Sequence, residues 1–90
     1  MQEKYNAIKE IKVRTDFLLL QLSEGKYASL DAYINNLVHL KLAYSEFKPF
    51  TVDLEFLKWL QNSNPTLLTE IVMTGRIMMA LQNFFKLAES

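Results

Sequence analysis

The stretch from Pro65 to Leu87 carries two apolar seams on what its spacing makes one helix, and any fold must dispose of both. Leu67, Ile71, Met78, Leu81 and Phe85 form the first seam, interrupted by Thr74 and widened by Leu68, Val72 and Met79. Met73, Ile77, Ala80, Phe84 and Leu87 form the second, in alternating steps of four and three, the rhythm of a helix–helix contact. Thr69, Arg76 and Asn83, spaced by seven, make a narrow polar strip between them. A helix this apolar is normally buried nearly all round. Either it is the central rod of a bundle, or one seam is kept for another molecule.

Three further helical segments precede it. From about Glu3 to Ser23, Tyr5, Ile8, Ile11, Thr15, Leu18, Leu19 and Leu22 recur at helical steps, and Gly25 suits a left-handed C-terminal cap. Val13, Phe17 and Leu20 lie on a second side of this helix, an apolar face wider than a surface helix requires. The next segment opens at Ser29 as N-cap, carries Leu30, Tyr33, Ile34, Leu37, Leu40 and Tyr44 as its stripe, and is expected to end at Lys48-Pro49. A short helix from Val52 to about Asn62 follows, with Thr51 as expected N-cap and Phe56, Leu57 and Leu60 as its apolar face. Asn64 and Pro65 then mark the start of the last helix, as N-cap and first helical residue. Gly75, inside that helix, suits close approach of a neighbour.

The expected fold is all-α, a single helical domain over residues 1–90, a compact bundle of four helices with the C-terminal helix central. An α+β alternative has helices flanking a β-hairpin at about residues 38–56, because Val38 to Leu42 and Phe50 to Phe56 both alternate apolar with polar residues. Against it, the first run is rich in Leu, Lys and Ala and continues a well-capped helical pattern.

Ten basic residues balance ten acidic ones. Nucleic-acid binding, which neutralises several phosphates, is therefore not expected. Half the residues are apolar, too many for a disordered segment. A membrane span over Leu67 to Ala88 would bury Glu70 and Arg76, so none is expected. The alternating start and the shortness of the Phe17 to Leu20 run point away from a secretory leader and towards a cytoplasmic protein.

Chemistry finds few candidates here. With no cysteine there is neither thiolate nucleophile nor sulfur metal ligand. His39 lies on the polar side of its helix with Asp31 and Asn35, and Asp53 and Glu55 suit a helix N-terminus rather than an acid–base pair. Gly25 and Gly75 stand alone, so there is no phosphate loop. No catalytic residue, cofactor or metal is expected. The expected function is non-enzymatic: a small helical regulator, inhibitor or adaptor binding another protein, or a second copy of itself as a homodimer. Its interface would comprise Met73, Ile77, Ala80, Phe84 and Leu87 together with Val13, Phe17 and Leu20, with Trp59 as a further anchor. The alternatives are a purely structural homo-oligomeric subunit and a bundle holding an apolar small ligand among Met and Phe side chains.

Overall fold

Gly25 ends the first helix with φ 66°, and from that turn the chain folds back along its own length. The computed structural model describes residues 1–86. It contains α1 (Gln2–Glu24), α2 (Leu30–Thr51), α3 (Leu54–Ser63), α4 (Pro65–Ala80) and α5 (Gln82–Phe85), and no strand among the described residues. The protein is all-α, elongated to 44 Å by the two long helices.

The caps explain most of the boundaries. The Gly25 N–H donates to the Gln21 carbonyl, and the left-handed conformation of Gly25, which glycine adopts without strain, then turns the chain out of the helix. Ser29 Oγ accepts from the Ala32 N–H, and Asn64 Oδ1 from the Leu67 N–H at 3.1 Å with Pro65 behind it. Asn64 closes α3 and opens α4, so the two helices meet at a single residue.

Three boundaries differ from expectation. Pro49 does not end α2, which runs on to Thr51. A proline there disturbs only the final turn, and buried Phe47 and half-buried Phe50 hold that turn against the core. Thr51 consequently closes α2, donating its hydroxyl to the Lys48 carbonyl, and Asp53 takes the N-cap of α3, accepting from the Phe56 N–H. The last helix divides at Leu81, whose N–H is shared between the Ile77 and Met78 carbonyls, and α5 then sets Phe85 against Tyr44. The stretch considered for a hairpin lies within α2 and the start of α3. Its alternation is incidental to the buried set Leu37, Leu40, Tyr44 and Phe47.

The central element is α2 rather than the C-terminal helix, for it packs against α1, α3, α4 and α5. A chain this small has too few helices to enclose one of them on every side. The core joins Ile8 and Ile11 of α1, Leu37, Leu40 and Phe47 of α2, Phe56 and Leu60 of α3, and Leu67, Ile71 and Met78 of α4. Gly75 lets α4 approach the end of α2. A Cβ there would stand 3.3 Å from Thr51 Cγ2 and 3.8 Å from the Phe47 ring.

Two polar clasps fasten the start of α1 to the α3 corners. Lys4 Nζ meets Asp53 Oδ2 at 2.7 Å, and Asn64 Nδ2 donates to the Tyr5 hydroxyl at 3.1 Å. Tyr5 also sets its ring edge-on to Trp59. At the far end Asn36 donates to the Tyr27 hydroxyl, which holds the α1–α2 turn.

Candidate interaction surface

On α1 the core takes Ile8, Ile11 and Thr15, and at 100° per residue Val13, Phe17 and Leu20 fall on the opposite side. They are respectively 71%, 59% and 55% exposed. On α4 the first seam is the buried one: Leu67, Ile71, Thr74 and Met78 face the core, and Phe85 of α5 joins them. Val72 and Met79, read as widening that seam, are instead exposed. Of the second seam, Met73, Ile77, Ala80 and Phe84 are exposed, and Leu87 lies outside the described residues.

The fold brings part of this set together. Leu20 and Ile77 line one groove with Leu19, Leu22 and Leu81, about 520 Å³ of space between α1 and the end of α4. Val13 borders the neighbouring groove with Leu67, where Lys9, Lys12, Asp16 and Glu70 make the lining mostly charged. Phe17 leans the other way, into a groove shared with Leu18, His39 and Leu42 of the α1–α2 seam. The outer side of α1 is thus an apolar ridge with an apolar groove along each flank. Met73 and Phe84 are exposed on α4 and α5 but border neither groove.

Ion pairs edge the ridge. Lys12 Nζ stands 2.6 Å from Asp16 and 3.5 Å from Glu70 of α4, and Arg14 reaches Glu46 of α2 at 2.8 Å. They tie α1 to each neighbour and place charge at the margins of the apolar ridge. The Lys4–Asp53 pair lies beyond the ridge. Its hydrogen bond raises the Lys4 ammonium above its ordinary value and, with the Phe56 N–H, lowers the Asp53 carboxyl.

Trp59 is half-buried, stacked on Phe56 and met edge-on by Tyr5, so its ring is engaged within the chain. His39 is exposed beside Phe17. Among the described residues no three His, Asp or Glu side chains converge as a metal site requires, and no helix is long and apolar enough to cross a membrane.

Leu42, 58% exposed, is the residue that sequence reasoning missed. It lies off the Leu37–Leu40–Tyr44 stripe of α2 and joins the surface only because α2 packs against the side of α1 that carries Phe17. Compared with protein-family models, curated proteins and solved structures, the chain matches none.

Proposed function

We propose that the protein acts without covalent chemistry, as a small cytoplasmic helical regulator, inhibitor or adaptor that binds a protein through the outer side of α1 and the second seam of α4. The observation that carries this reading is the exposure of Val13, Phe17 and Leu20 on the side of α1 turned away from the core. Burying each such side chain contributes about 1.5–3 kcal/mol, and soluble monomers rarely leave apolar patches of this kind contiguous. The polar margin of Lys12, Asp16, Arg14 and Glu46 suits an interface with a dry centre and a wet rim.

The test is to replace Phe17, Ile77 and Phe84 singly with Asp. Each variant is expected to keep the circular-dichroism spectrum and unfolding midpoint of the parent chain while losing association, read by sedimentation or by binding to a purified partner. Loss of helicity in these variants would make the face part of the core and remove the reading.

A further inference from the structure

The outer ridge of α1 reads Lys9, Val13, Phe17, Leu20, Glu24, in steps of four, four, three and four, and every one of these side chains is exposed. The sequence of characters is a cation, three apolar residues and an anion, with the charged ends equally spaced from the apolar residues beside them. Such a ridge is complementary to its own reversal. From this we infer that the partner is a second copy of the same chain, its α1 lying antiparallel on this one about a two-fold axis between Asp16 and Phe17. The inference rests on the reading that this face binds protein and adds the partner and its register.

A two-fold interface requires that when residue i meets residue j, j also meets i. In this register Val13 faces Leu20 of the second copy and Leu20 faces Val13. Phe17 sits at the centre, offset from its own mate by one residue, about 1.5 Å, along the helix axis. Lys9 comes opposite Glu24 at both ends, so one register makes two ion pairs. Lys9 now lies over the Tyr5 ring, and Glu24 makes no ion pair among the described residues. Neither charge is committed to an ion pair among the described residues, and Lys9 would exchange its place over the Tyr5 ring for the pair with Glu24. A parallel arrangement would set Lys9 against Lys9 and Glu24 against Glu24, so charge selects the antiparallel one. Asp16, beside the axis, is neutralised by Lys12. Leu42 on one flank and Leu19 and Ile77 on the other border the contact and widen it beyond a single helix pair.

Sedimentation equilibrium across a wide concentration range tests this, with circular dichroism on each sample to show that the helices persist. The parent chain is expected to move from 10.5 kDa towards twice that mass as concentration rises. Lys9→Glu and Glu24→Lys should each weaken the dimer about tenfold, because each turns two attractions into two repulsions. The double variant should restore it, and a mixture of the two single variants should form the mixed dimer in preference to either homodimer. A dimer indifferent to all these changes would overturn the antiparallel register. A chain that stays monomeric would overturn the second copy as partner; the broader reading would then fall only if Phe17→Asp also unfolds the protein.

Discussion

The two seams of α4 carry the same kinds of side chain at the same spacing, yet Ile71 is fully enclosed and Ile77 is 48% exposed. The inner seam meets α2 and α3, while Ile77 of the outer one borders a groove beside α1 that no element among the described residues fills. On α1 the division is sharper still. Ile8 and Thr15 have no exposed surface, and Val13, between them in sequence, has almost three-quarters of its own. Apolar character alone therefore does not mark the core. What separates the seams is the set of neighbours available to cover them, and α2 supplies those neighbours to one side only.

The contrast can be broken on its strong side first. Ile71→Ala removes a fully buried side chain and is expected to cost about 2–5 kcal/mol in denaturant unfolding, whereas Ile77→Ala should stay within about 0.5 kcal/mol when both are measured as monomers. Equal costs would mean that both seams are core. The buried face of α1 offers a gain instead. Thr15 Oγ1 is enclosed and finds no hydrogen-bond partner among the described residues, so the near-isosteric Thr15→Val should raise stability by about 1–3 kcal/mol. A smaller effect tests the corner that aims α4. Asn64→Ala removes the cap from Leu67 and the donor to Tyr5, and should lower the thermal midpoint by the equivalent of about 1 kcal/mol.

The smallest effect lies in the pH profile. Because its carboxyl is lowered in the folded chain, Asp53 contributes stability that is complete above the usual carboxylate range and fades as pH falls below about 4. Lys4, raised, contributes stability that is complete below its ordinary value and fades only in strongly alkaline solution. Both contributions are constant near neutrality. In unfolding titrations Asp53→Asn should flatten the acid limb slightly and leave the neutral region parallel to the parent chain, since this pair is exposed and screened.

Local signals were the most legible. Gly25, Ser29 and Asn64-Pro65 mark their boundaries in the sequence as they do in the fold, because a cap depends on a side chain and the backbone three or four residues away. Pro49 misleads for the same reason. Its local preference to end a helix is outweighed by the packing of Phe47 and Phe50, which involves residues distant in the chain. The exposed ridge of α1 was visible as a second apolar side, but Leu42 was not, since its place beside Phe17 exists only once α1 and α2 are paired.

The sequence by itself thus determined that the chain is helical, where most of its helices start, and that two of them carry more apolar surface than one face can bury, all consequences of spacing and short-range hydrogen bonding. Which helix stands at the centre, which seam of α4 is enclosed, and that Leu20 and Ile77 border the same groove were decided by the tertiary structure alone. Periodicity fixes the angle of a side chain around its own helix axis. Only the placement of the other helices decides whether that angle points into the core or out to solvent.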